Sequence, residues 1–220
     1  MELFIVNSVI ATVSQPLSYA IRSHFTHQER YQQTLDTLQS IRQRVSHAYI
    51  VLIEGSILPA LWEQELIERV DYYLNVSFIP QVKDAIDSPA KGYGEQMTLY
   101  TYLQSHHFQQ IIHQVNSITK LCGRYRLTQQ YQPKQDLQIC IKQNDRDSMN
   151  TTWYYLPKSE IFDYIEASRE CIGNPILIHS QLGLEYVLFQ TWLKNKKNYR
   201  LLSNIGVEGW VGPFGDYFVM

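Results

Sequence analysis

Residues 48–53 read Ala-Tyr-Ile-Val-Leu-Ile, and Glu54-Gly55-Ser56 closes the run. A stretch this short and this apolar, without polar alternation, predicts a strand buried on both faces, as in a parallel sheet covered by helices. The neighbouring sequence agrees. Upstream, residues 26–45 predict a helix. Thr26 and Glu29 have the spacing of a capping box, and Tyr31, Leu35, Leu38, Ile41 and Val45 recur at helical intervals. Before it, residues 3–13 form another apolar run, read as strand one, followed by a loop with Pro16. Downstream, a helix is expected over 59–69 with Pro59 in its first turn, then a strand over 70–76.

Ser88 to Glu95 reads as a turn opening a helix over 94–106, with a further helix from Phe108 to Val115. A strand over 117–127 is broken by Gly123. Strands over 137–142 and 152–156, a helix over 158–171 stopped by Gly173, and a helix over 178–193 follow. The tail, 199–219, predicts short strands and turns. Strands alternating with helices predict an α/β fold, a mostly parallel sheet flanked by helices, in one domain over residues 1–220. Such sheets bind ligands at the carboxyl ends of their strands. That singles out Asn7 and Ser8, Glu54 and Gly55, the 88–95 turn, and Lys120 to Tyr125.

The formal net charge of −2 and the 18% charged residues give no basic field for nucleic acid, so an anion site must be local. Cys122, Cys140 and Cys171 are odd in number and far apart. They read as reduced thiols without zinc spacing, which suits a cytoplasmic location. The first apolar run lacks a basic lead, and no run is long enough for a transmembrane segment. The 16 tyrosines and 4 tryptophans fit core packing or flat surfaces for sugar rings and nucleobases.

Two segments could hold an anion. In Lys91-Gly92-Tyr93-Gly94-Glu95 the glycines either make a turn or let backbone approach a ligand. A helix N-terminus and Lys91 there would suit a diphosphate. In Lys120-Leu121-Cys122-Gly123-Arg124-Tyr125, two cations and a ring surround a glycine at a strand end. They read either as an ordinary exposed strand end or as a phosphate clamp with Tyr125 beside it. No Walker loop, Rossmann fingerprint, HExxH pattern or Gly-x-Ser-x-Gly elbow is present. Ser14 to Leu17 lacks the Gly-rich, basic character that a nucleotidyltransferase places after strand one.

Taken in order, Gln33-Thr34-Leu35, Ser40-Ile41-Arg42, Ile53-Glu54-Gly55-Ser56, Lys91 to Glu95 and Lys120 to Tyr125 resemble a group of GT-A-like glycosyltransferases. That group comes from bacterial surface-polysaccharide loci and large DNA viruses. Its last motif usually reads Lys-Ile-Ser-Gly-Arg-Tyr, and its Val-Glu-Gly ending is similar to Val207-Glu208-Gly209. The resemblance spans roughly residues 3–130. It implies a GT-A fold and a nucleoside diphosphate sugar donor, with a glycan hydroxyl as acceptor.

On this reading Asn7, Ser8 and Glu54 face the nucleoside. Lys91, Gly92, Gly94, Lys120 and Arg124 hold the diphosphate, and Tyr125 flanks the donor. Most GT-A enzymes place an Asp-x-Asp pair, with a divalent cation, where Lys120 and Arg124 stand here. A cation cluster can stabilise the same leaving-group charge, so no metal is required. The alternative is Mn2+ or Mg2+ at Asp145 and Asp147, otherwise a solvated loop. Glu185 and Glu208 are the candidate bases. A rival reading keeps the fold as a nucleotide- or glycan-binding module without catalysis.

Overall fold

The computed structural model describes residues 1–13, 21–145, 147–179, 183–194, 196 and 198–220. The expected loop at Ser14 to Leu17, Arg146, and residues 180–182 of the expected last helix lie outside them.

Strand β1 (Glu2–Ser8) is central, flanked in parallel by β2 (Tyr49–Glu54) and β4 (Ser117–Cys122). Beyond β2 lies β3 (Tyr72–Asn75), also parallel. Beyond β4 lies β7 (Ser148–Pro157), the one strand of this sheet, among the described residues, that runs against the others. β6 (Ile139–Asp145) then pairs antiparallel with β7, and β8 (Tyr199–Leu201) pairs parallel with β6. The seven-stranded order is β3-β2-β1-β4-β7-β6-β8. A second, three-stranded sheet joins β5 (Tyr125–Leu127), β9 (Val207–Trp210) and β10 (Tyr217–Val219) in the order β10-β9-β5.

Alternate residues of the parallel strands serve two cores, as the two-residue side-chain period requires. Phe4, Val6, Ile50 and Leu52 meet helix α1 (His27–Arg44) and Leu66 of helix α2 (Ala60–Glu68) on one face. Tyr31, Leu35, Leu38 and Ile41 of α1 are all buried there. Both halves of the capping box expected at Thr26 and Glu29 are made. Leu3, Ile5, Val51 and Ile53 fill the other core. It is covered by helices α3 (Pro80–Asp87), α4 (Lys91–Leu103), α6 (Ile161–Ile172) and α8 (Leu184–Leu188). Helices α5 (His106–Ile111) and α7 (Pro175–His179) are short connectors.

Several sequence expectations are corrected. β1 ends at Ser8 instead of Val13, because the strands on either side end at Glu54 and Cys122. The Ile10 amide then bonds the Glu54 carboxylate at 3.0 Å instead of a strand. α4 starts at Lys91, so Gly92 and Gly94 lie inside its first turn and do not form a loop ahead of it. α3 was not expected. It carries Pro80 in its first turn and buries Val82, Ala85 and Ile86. The last expected helix is divided between α7 and α8, and α8 runs into a π-helical turn over Phe189–Leu193.

Candidate functional site

The parallel strands β1 and β4 end together, and a pocket opens beyond them. Its wall is built by Asn7, Ser8 and Val9 at the end of β1, by Cys122, Gly123 and Arg124 at the end of β4, and by Lys91, Gly94 and Glu95 of α4. Arg22 and Arg30 add two more cations to it. The close approach of the two strand ends depends on Gly123. Its amide bonds the Asn7 carbonyl at 2.8 Å, and a Cβ there would meet Ser8 Cβ at 3.1 Å. Thr34 of α1 ties both ends down, donating to the Gly123 carbonyl and meeting Ser8 Oγ, each at 3.1 Å. The enclosed space is about 90 Å3, a few waters' worth. It suits a compact charged group, with the rest of a larger ligand running along the open rim.

Charge decides what that group is. Arg22, Arg30, Lys91 and Arg124 line the pocket, and Glu95 is its one lining carboxylate among the described residues. Glu95 is already engaged. The buried Lys120 ammonium donates to Glu95 Oε1, to the Thr151 carbonyl and, at 3.0 Å, to Cys122 Sγ. Burial alone would raise the Glu95 pKa, but Lys120, then Lys91 and Arg124, hold it below the ordinary carboxylate value. Burial would likewise discharge Lys120, and its pairing with Cys122 and Glu95 raises its pKa instead.

Lys91 and Arg30 are both crowded by Arg124. Burial, then the nearby Arg124, lowers Lys91 to about 8. The same two causes push buried Arg30 down to about 9, still charged at neutral pH. Arg30 is held by the Val9 carbonyl, with Nε at 2.9 Å, and by Ser23 Oγ at 3.1 Å. Arg22 reaches the carbonyls of Asp87 and Ser88, at 2.9 and 2.7 Å, across the end of α3. Mutually repelling cations at a partly desolvated site favour an anion that relieves the repulsion.

The structure sorts the sequence candidates. Asn7, Ser8, Lys91, Gly94 and Arg124 share the pocket. Lys120 does not line it; it lies beneath, behind Glu95 and Cys122. Gly92 faces away, where a Cβ would strike Leu184 Cβ at 2.6 Å. Glu54 is fully buried and takes up the amides of Ile10 and Ser56, so it shapes the turn after β1 and does not face a nucleoside. Tyr125 is buried in the core on the α1 side, under Gly209. Glu185 on α8 accepts from Thr151 Oγ1 at 3.3 Å, and its charge acts on Lys91. Glu208 lies on β9, paired with Arg126 at 2.7 Å, outside the pocket.

Asp145 and Asp147 sit at the β6–β7 hairpin tip, where the Asp147 amide bonds Asp145 Oδ1 at 3.1 Å. Sequence reasoning missed Arg22, Arg30 and Glu95. Arg30 had a signal: with Thr34 it makes a polar i, i+4 pair on the buried side of α1, where apolar residues are the rule.

No protein family and no curated protein matches the sequence. Solved structures do match. Core-mannan synthase A from Aspergillus fumigatus, in a Mn/GDP form, superposes with a TM-score of 0.51 at 5% identity, covering 86% of this chain and 68% of that one. The fold is GT-A-like. Identity this low carries the architecture and nothing finer.

GT-A folds commonly hold a divalent cation at the end of the strand that is β4 here. The residues present do not fit one. The Lys120 ammonium stands between Glu95 and Cys122, the side chains that would have to ligate it. Among the described residues, no three His, Cys, Asp or Glu side chains gather as a metal site. Nor, among them, is any helix long and apolar enough to cross a membrane.

Proposed function

We propose that this GT-A-like chain, acting as one domain, is a glycosyltransferase that takes sugar from a nucleoside diphosphate donor and passes it to a glycan hydroxyl. The observation that carries the reading is the convergence of Arg22, Arg30, Lys91 and Arg124 where β1 and β4 end. The diphosphate lies among these side chains, and Asn7 and Ser8 border the nucleoside. In the transfer, the bond from the anomeric carbon to the diphosphate oxygen breaks and its electron pair leaves with the nucleoside diphosphate. The fixed cations stabilise that charge without reorganising. The acceptor oxygen bonds the anomeric carbon, and its proton passes to a carboxylate, for which Glu185 is proposed. Lys120 supplies its positive charge from beneath the pocket, where the residues do not suit a metal.

Thermal shift with uridine, guanosine and adenosine diphosphates, in EDTA and in Mn2+, tests the reading. A nucleotide at a hundred times its Kd stabilises the fold by about 2.7 kcal/mol, or about 5–10 °C for a domain of this size. At least one nucleotide should shift the melting point in EDTA. Arg124→Ala should abolish that shift while leaving the unliganded melting point within about a degree, since Arg124 is half-buried and its Nε has only a 3.3 Å bond to the Trp210 carbonyl. No shift with any nucleotide, or an undiminished shift in the variant, removes the diphosphate from this pocket. Release of nucleoside diphosphate from the matching sugar donor then separates an enzyme from a binding module.

A further inference from the structure

Arg124 lines a second recess as well as the donor pocket. Gln33 and Asp36 of α1, Arg126 of β5, Glu208 and Trp210 of β9, and Tyr217 of β10 form most of the rest of its wall. We infer that this recess binds the acceptor glycan, an inference that rests on the donor site proposed above.

The recess holds about 420 Å3, within the range of about 300–1,000 Å3 usual for small-molecule sites. Trp210 and Tyr217 are 37% and 43% exposed, so each keeps part of its ring surface open to a ligand. Their ring centroids lie 4.8 Å apart at 66°, so together they make a corner of two apolar walls. Phe25 packs its ring against Trp210 at 5.6 Å and braces it. The hairpin turn joining β9 and β10 is fixed as well. The Val211 amide bonds the Asp216 carbonyl at 2.8 Å, and the His24 amide bonds the Gly212 carbonyl at 2.8 Å. The aromatic corner is therefore built before any ligand arrives, which lowers the ordering cost of binding.

Polar groups face the corner. Glu208 is oriented by Arg126 Nε at 2.7 Å, and Asp36 accepts from Gln32 at 2.9 Å. Gln33 Oε1 is buried without a hydrogen-bond partner among the described residues. An acceptor atom left so is costly until a donor reaches it. A pyranose offers this chemistry: an apolar C–H face for the rings and a rim of hydroxyl donors for the carboxylates and the amide oxygen. Asp36 and Glu208 are matched by Arg124 and Arg126 in the lining, so the recess has no net charge to draw a phosphorylated ligand, and the occupant is an uncharged saccharide. Its position fits transfer, because Arg124 borders both sites and donates to the Trp210 carbonyl.

Saturation-transfer NMR on the full chain tests this. The probes are methyl glycosides of glucose, galactose, mannose and N-acetylglucosamine, with their homodisaccharides, each with and without the nucleotide that gives the thermal shift. The expected result is transfer to the C–H protons of at least one saccharide. Trp210→Ala and, separately, Tyr217→Ala should weaken that binding about ten-fold, the usual cost of truncating an aromatic anchor. Trp210→Phe should retain most of it, and the nucleotide thermal shift should be unchanged in all three variants.

Any of three results overturns the inference. No saccharide in the panel receives transfer from the wild type, or both alanine variants bind as the wild type does. The third is sedimentation showing a dimer that Trp210→Ala dissolves, which would make the corner a self-association surface. Failure of the donor reading looks different: the wild type gives no nucleotide shift, which removes the acceptor role whatever the NMR shows.

Discussion

Lys120 shows how far a residue's reading depends on what surrounds it. In sequence it is a cation beside a glycine, and such a cation predicts a surface clamp that can be removed without cost to the fold. In the structure it is 1% exposed, with its ammonium shared among Glu95, Cys122 and Thr151. Removing one partner of a buried ion pair leaves the other charge uncompensated. Lys120→Met should therefore lower stability by on the order of 3 kcal/mol, or about 6–12 °C in melting point. Lys120→Met with Glu95→Gln should recover part of that loss, because the stranded carboxylate is gone. Thermal melts of the two single variants and the double variant check this. A Lys120→Met protein melting with the wild type would mean that the pair is not formed.

At the scale of elements, most of the architecture was legible because hydrophobic period reports burial. The Ala48–Ile53 run and the α1 stripe fall where expected, and both ends of the capping box are made. The α4 glycines were read as loop because glycine weakens helices and serves turns. What the chain alone cannot display is a neighbouring backbone. A Cβ at Gly94 would meet Ile86 Cα at 2.7 Å and the Ala85 carbonyl at 2.9 Å, so the glycine is needed for α3 to lie against α4. Arg22 and Arg30 were missed for a related reason: their place in the pocket depends on carbonyls of Val9, Asp87 and Ser88, brought there by the fold. Gly94→Ala should cost about 1–3 kcal/mol by overpacking, against its better helix propensity. Gly173→Ala is the control. It meets nothing closer than 3.7 Å at a φ of −83°, and should be neutral or slightly stabilising in the same chemical denaturation series. Equal effects at the two sites would refute the packing argument.

At the scale of the whole molecule, a chain of net charge −2 gathers positive side chains where β1 and β4 end, and their burial, then their mutual repulsion, makes the site sensitive to pH. Lys91 carries that sensitivity, since burial and then Arg124 bring it down to about 8 from its ordinary 10.5. Between those values the unfolded chain keeps a proton that the folded chain has given up. This group's contribution to stability therefore rises with pH across that window. Binding has the opposite sign. A diphosphate favours the charged ammonium, so the Lys91 contribution to nucleotide affinity should be flat below about pH 7 and fall as pH rises through 8, by at most one decade per unit for a single proton. The terminal phosphate, with a pKa of about 6, is fully ionised above that range and does not mask the effect. Lys91→Met should bind more weakly at neutral pH and lose the dependence near 8. Calorimetric titration of both proteins from pH 6.5 to 9.5 reads the difference. A wild-type affinity constant across that span would remove Lys91 from contact with the diphosphate.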